Sequence, residues 1–240
     1  MTIVPEKLSC HSFWTIVAEP MTQRIPEISG SSIVLLGSFN PAIFQPEWFF
    51  RQGLFRQSEA EAAEIKIIVP QLTHFETESL VLQVTPQRFA AVSKASANGA
   101  PLRDLVVGTF FILEHVPVNA LGINFQMHFS MGSEENWHKI GDRLAPKDGW
   151  RGILPGRPGM LSLTIRTTLD HVANAMFHVR VEPSLQVKQG VFFETNEHYP
   201  GGKTDSPAEL MGILSERWEE AQIYAPRVVN HILGWALETE

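Results

Sequence analysis

The sequence predicts an α+β protein built on a mainly antiparallel, curved sheet with long helices packed on one of its faces. Three observations lead there. In Leu121-Gly-Ile-Asn-Phe-Gln-Met-His-Phe-Ser130 apolar and polar residues alternate strictly, the pattern of a strand with one buried and one solvated face. Two longer segments repeat their apolar positions at three- and four-residue spacing, as amphipathic helices do. The elements also follow the order strand, helix, three strands, helix, and then repeat that order.

Residues 1–31 mix Phe13-Trp-Thr-Ile-Val17 with prolines and are expected to form an arm packed on the rest. Ser32 to Gly37 reads as a short apolar strand. Pro46 then sits where a helix tolerates proline, in its first turn, and Gly53 ends that helix. Strands are expected at Ile65–Val69, Ser79–Val84 and Arg88–Val92. Pro101 opens a second helix with Leu102, Leu105, Val106, Thr109, Phe110 and Leu113 on one stripe, and Pro117 ends it.

The second half begins with the alternating strand. Ser133 caps a short helix carrying Trp137, Ile140 and Leu144. Ala145 to Gly159, rich in proline and glycine, is the longest expected loop. Strands follow at Leu161–Thr167, Ala175–Glu182 and Leu185–Glu194, the last interrupted at Gly190 by a bulge or tight turn. The final helix starts at Ser206-Pro-Ala-Glu209, a capping box, and buries Leu210, Leu214, Trp218, Ala221, Ala225, Val228, Ile232 and Ala236. Pro226 is expected to kink or divide it.

The chain thus divides into an arm (1–31), a first α+β unit (32–117) and a second (118–240), expected to pack as one domain. The order resembles the strand, helix, four strands, helix unit of the TATA-binding-protein-like folds, a group that includes the helix-grip ligand binders, with each half one strand short. The resemblance implies a curved antiparallel sheet under long helices, and it transfers no function.

Composition narrows the classes. The 240 residues are 44% hydrophobic and include 15 Phe and 6 Trp, which excludes disorder as the main state. The single Cys10 forms no internal disulfide, the N-terminus lacks a basic start and apolar stretch, and no apolar run reaches the ~20 residues of a membrane span. The expectation is a cytoplasmic protein with no membrane partner. A net charge of −7 opposes nucleic-acid binding, and the one loose basic cluster is Lys147, Arg151 and Arg157.

Gly37-Ser-Phe-Asn-Pro41 resembles the opening of the adenylyltransferase signature, in which histidines at a helix N-terminus hold a triphosphate. Here Ile43 replaces the first histidine and Gln45-Pro46 the Gly-His pair, so the stretch reads as a structural corner. Gly201-Gly-Lys-Thr204 lacks the Walker glycine, Glu197 standing in its place. No metal-ligand spacing or Gly-x-Ser-x-Gly elbow is present, and Cys10 and His11 are adjacent residues that face apart in an extended segment. No catalytic residue, metal site or cofactor is assigned.

Two surfaces remain. Asn124, Gln126 and His128, then Ser162, Thr164 and Arg166, then His178, Arg180 and Glu182 occupy alternate positions opposite an apolar face, with the two arginines suited to an anionic ligand or partner. Phe44, Trp48, Phe49, Phe50 and Phe55 crowd a short helix and are candidates for an interface with another chain. The expected function is a non-enzymatic binding or assembly protein acting as an oligomer or complex subunit through one of these surfaces. The alternative is a small-molecule binding protein or hydrolase-like enzyme with a pocket between the sheet and the C-terminal helix.

Overall fold

The structure is a computed structural model of the chain and describes residues 23–94, 100–202 and 206–238. Cys10 and His11, the apolar start of the arm, and Lys203 and Thr204 lie outside them.

Nine strands among the described residues form one open antiparallel sheet: β1 (Ile28–Gly37), β2 (Glu64–Val69), β3 (Leu72–Glu76), β4 (Leu80–Val84), β5 (Arg88–Ser93), β6 (Val118–Ser130), β7 (Leu163–Thr168), β8 (Met176–Pro183) and β9 (Gly190–Pro200). Five helices accompany it: α1 (Pro46–Arg51), α2 (Gln57–Glu61), α3 (Ala100–Ile112), α4 (Glu134–Leu144) and α5 (Ala208–Leu237). The spatial order is β2-β3-β4-β5-β1-β6-β9-β8-β7. Outward from the central β1–β6 pair, one side runs back through β5 to β2 and the other through β9 to β7. The α+β class and the antiparallel sheet are as the sequence predicts.

One face carries the core. Ile33 and Leu35 of β1 pair with Ile123 and Leu121 of β6, and the same rows continue through Ala91 and Phe89 of β5. All six side chains are fully buried. On them lie α3, through Leu102, Leu105, Val106 and Phe110, and α5, through Leu214, Trp218, Ala225 and Leu233. The Trp218 ring sits 5.5 Å from Phe125. Thr109, fully buried in α3, returns its hydroxyl to the Leu105 carbonyl at 2.6 Å, so no polar atom is left unpaired there. At the far end of α5, Lys139 of α4 donates to the Leu237 carbonyl at 2.8 Å, closing a helix terminus that lacks partners of its own.

The structure corrects the sequence reading at four places. β1 starts at Ile28, inside the expected arm, because its first residues pair with Gln126 to His128 of β6. β3 was not expected; in its Leu72-Thr-His-Phe-Glu76 only Thr73 and Phe75 face the core, too short a pattern to stand out from its polar surroundings. β9 begins at Gly190 and continues to Pro200, while Leu185 is fully exposed in the preceding turn. Any side chain at Gly190 would press on Val187, so the glycine marks the strand start, not its middle. In α5 the helix runs through Pro226 undivided, and its stripe advances by four residues from Ala225 to Val229 and Leu233, not to the expected Val228 and Ile232. Ser206 accepts the Ala208 N–H at 3.4 Å, as expected of a capping hydroxyl, but Glu209 rests against Gly202 instead of closing a capping box.

The corner after β1 is built as its residues dictate. Asn40 extends over a 3₁₀ turn, Pro41–Ile43, and its side chain accepts the Ala42 N–H at 3.2 Å. Gly37 is needed for room: a Cβ there would collide with the Pro117 carbonyl oxygen, which accepts the Ser38 N–H at 2.9 Å. Helix α1 ends in a Schellman motif, with Gly53 at φ +72°, Gly53 N–H on the Phe50 carbonyl and Leu54 N–H on the Phe49 carbonyl, both at 2.9 Å.

Two substitutions separate these roles. Gly37→Ala places a methyl against backbone that cannot retreat and is expected to cost at least about 2 kcal/mol. Gly53→Ala meets no atom and pays only for its left-handed backbone, about 1 kcal/mol. Urea unfolding of the two variants checks the order.

Candidate functional site

The helices leave the other face of the sheet open, and the ladder register arranges the polar residues there in three rows. Asn124, Asn196, His178 and Arg166 form one. Gln126, Glu194, Arg180 and Thr164 form the next, and His128, Phe192 and Glu182 the third. The expected residues of β6, β7 and β8 therefore share one face, with Asn124 and His128 buried in it, while Ser162 precedes β7 and stands outside the ladder. The middle of each row, Asn196, Glu194 and Phe192, comes from β9, which holds β6 and β8 two strand spacings apart, about 9.5 Å, and His128 and His178 are further separated by standing in different rows, four residues apart along the strands.

These rows are strongly cross-linked. Arg180 donates to Glu194 and to Glu182, each at 3.0 Å, and lies over the Phe192 ring at 5.3 Å. Gln126 donates to the same Glu194 oxygen at 2.9 Å, and Ser162 to Glu182 at 3.0 Å. Burial alone would lower the Arg180 pKa; the two carboxylates outweigh it and hold the guanidinium above its ordinary value. Arg180 is thus committed within the face and is not a free anion receptor, whereas Arg166 on the neighbouring strand stands exposed.

The histidines are held neutral. Ser184 Oγ accepts the N–H groups of Gln186 and Val187 at 3.1 and 2.9 Å, so its own proton points to His128 Nδ1, 2.8 Å away. That leaves the His128 proton on Nε2, and burial pushes its pKa down. His178 is lowered by burial and then by electrostatic repulsion from neighbouring His198 and Arg166. Its Nε2 is shielded from solvent and has no hydrogen-bond partner among the described residues.

Beside the polar rows the open face carries aliphatic side chains in a broken strip, interrupted by Arg88 of β5, Gln83 of β4 and His74 and Glu76 of β3. Leu36 of β1 is 41% exposed, Ile67 of β2 40%, and Val69 and Val92 36% each, with Val34 and Val81 half-buried between them. The sequence reading missed this strip, because an unbroken run such as Ile33-Val-Leu-Leu36 reads as a strand buried on both faces.

The aromatic helix is placed differently from the sheet residues. Phe44, Phe49 and Phe55 are buried within the chain's own core, meeting Phe89 at 5.4 Å, Phe75 at 6.0 Å and each other. Trp48 and Phe50 are half-buried at its rim. Three of the five rings therefore serve the fold.

A second polar group lies on the helix side, and the sequence reading did not find it. Glu197 is 2% exposed, between Ile123 and Phe177 in the sheet, and pairs with Arg217 of α5 at 3.4 Å. Tyr199 donates to Glu197 and accepts from Arg217 Nε at 3.3 Å, with exposed His171 Nε2 also at 3.3 Å. Burial, then Glu197, raises the Tyr199 pKa well above its usual value and keeps the phenol protonated. Beyond Glu194 both faces of β9 carry polar residues, so no alternation in the sequence marks Glu197 and Tyr199 as inward-facing. Side chains fill the space around them, and the best-formed cavities lie elsewhere, beside α4.

Among the described residues, no group of three or more His, Cys, Asp or Glu side chains is placed to hold a metal, and no helix is long and apolar enough to cross a membrane. No protein-family model and no curated protein matches the chain.

Two tests follow from these networks. Arg217→Met leaves Glu197 buried without its cation and is expected to cost about 3–5 kcal/mol at neutral pH. Adding Glu197→Gln, which removes the buried charge, is expected to restore most of the loss, as urea unfolding of the single and double variants checks. Separately, His128 and His178 bind protons less readily folded than unfolded, so acidification below their ordinary value of 6.5 favours unfolding. Urea midpoints are expected to fall from pH 7.5 to 5.5, and His178→Gln to flatten that slope.

Proposed function

We propose that the chain is a non-enzymatic binding or assembly protein whose working surface is the open face of the sheet, engaged by another protein chain, either a second copy or a complex partner. One observation carries this reading: a nine-stranded sheet has its helices on one side and, on the other, exposed aliphatic side chains beside ordered polar rows. Large exposed apolar patches rimmed by polar residues mark interaction sites. The polar rows favour a protein over a polyanion, because Arg180 is neutralised within them by Glu194 and Glu182, which leaves exposed Arg166 as their one uncompensated positive charge among the described residues.

The same reading takes the chain as a duplicated unit of the TATA-binding-protein-like or helix-grip kind, supported by the mirrored strand order about β1 and β6. A small-molecule pocket under α5 is the second reading. The Glu197–Arg217 pair is in its favour, and the close packing of Trp218 and Phe125 is against it.

Native mass spectrometry of the purified chain is expected to find a homo-oligomer or a stoichiometric partner that a Leu36→Asp, Val92→Asp double variant loses while remaining folded. The reading fails if association survives both substitutions, or if the chain is monomeric and alone at about 100 μM, well above the Kd of a stable interface.

A further inference from the structure

The loose basic cluster Lys147, Arg151 and Arg157 plays no part in the open face, yet the fold gathers all three around one cleft between α4 and the segment 145–162. Two adjoining cavities share Asp142, Lys147, Arg157 and Pro158. The larger, about 390 Å³, is lined by Lys147, Arg151 and Arg157 with Gly152 and Gly156. The smaller, about 130 Å³, is walled by Trp137, Ile140, Met160, Pro183 and Val191. A polar, cationic chamber thus opens beside an apolar one.

The charges in the cleft are not all equivalent. Lys147 Nζ lies 3.0 Å from Asp142 and donates to the Gly141 carbonyl, with its side chain only 9% exposed. Arg151 pairs with Asp148 at 3.5 Å across exposed surface. Arg157 makes no ion pair with any described carboxylate, so its guanidinium is the uncompensated charge of the cleft among the described residues. Such a fork matches a carboxylate in a bidentate pair.

The apolar chamber has a specific cause. A Cβ at Gly141 would stand in ordinary contact with Lys147 Nζ at 3.7 Å and Met160 Cβ at 3.9 Å, so a side chain at this position points between them into the chamber that glycine leaves unfilled. Trp137 is fixed by donating its Nε1–H to the Gly190 carbonyl at 3.0 Å. The smaller chamber, about 130 Å³, is half open to solvent and offers a small ring one apolar wall.

We propose that this cleft is a binding site, separate from the open face, for a small organic carboxylate with a compact aromatic or branched body. The carboxylate pairs with Arg157, supported by Arg151, and the body lies against Trp137, Ile140 and Met160.

Calorimetric titration of the full chain with phenylacetate, its neutral counterpart phenylacetamide, and inorganic phosphate tests the site. Phenylacetate is expected to saturate with a Kd of about 0.1–1 mM, and each of the other two to bind at least about tenfold more weakly. Arg157→Gln, on the surface, is expected to weaken phenylacetate about tenfold and to remove its advantage over the amide, with the melting temperature unchanged. Gly141→Leu fills the apolar chamber with a better helix former and is expected to abolish binding without unfolding the chain. The proposal is overturned if acid and amide bind alike, if phosphate matches phenylacetate, if either variant binds as the natural chain does, or if no saturable heat appears by about 10 mM.

Discussion

The antiparallel ladder between β1 and β6 is the constraint on which the other features depend. Among the described residues it is the one strand pairing that joins the segment before α3 to the segment after it. Its register, Ile33 on Ile123 and Leu35 on Leu121, decides which side of every neighbouring strand meets α3 and α5. A slip by one residue would turn these side chains to the open face and bring Asn124 and Gln126 into the core. Core and polar rows are therefore two consequences of one alignment.

On the helix side the alignment is secured by fit and by charge. The Gly37 corner brings the backbone of β1 against Pro117, where no other residue has room, and so ties the start of β6 to the end of β1. Farther along the sheet Glu197 and Arg217 hold α5 over β9. A buried pair of this kind adds little net stability compared with apolar residues, but breaking it is costly, and that asymmetry makes it a pin for position. Trp218, one residue from Arg217, is then set against Phe125.

Much of this was legible in the sequence wherever one face of an element is buried and the other wet. The alternation from Leu121 to Ser130, the stripe of α3, the corner at Gly37–Pro41 and the cap at Ser133 could be read directly, because each pattern has a single physical cause. The misses share another cause. In β9 the inward positions Glu197 and Tyr199 are polar, so the alternation dissolves where tertiary contacts satisfy them. In β1 both faces are apolar, so nothing marks Leu36 as exposed. In α5 the local signal of Pro226 was outweighed by continuous packing on the sheet, which carried the stripe on to Val229 and Leu233. The cleft beside α4 was present only as scattered basic residues until the loop folded over Gly141.

The open face unites the parts of this account, since the register that builds the core leaves an aliphatic strip and ordered polar rows facing outward together. Hydroxyl-radical footprinting of side chains, comparing the natively purified assembly with the same chain diluted to monomers, tests that claim most directly. The account predicts protection in the assembly at Leu36, Val92, Phe192 and His178, with the exposed helix residues Phe111 and Ile223 labelled equally in both states. Protection of Phe111 and Ile223 with the sheet residues unchanged would contradict it.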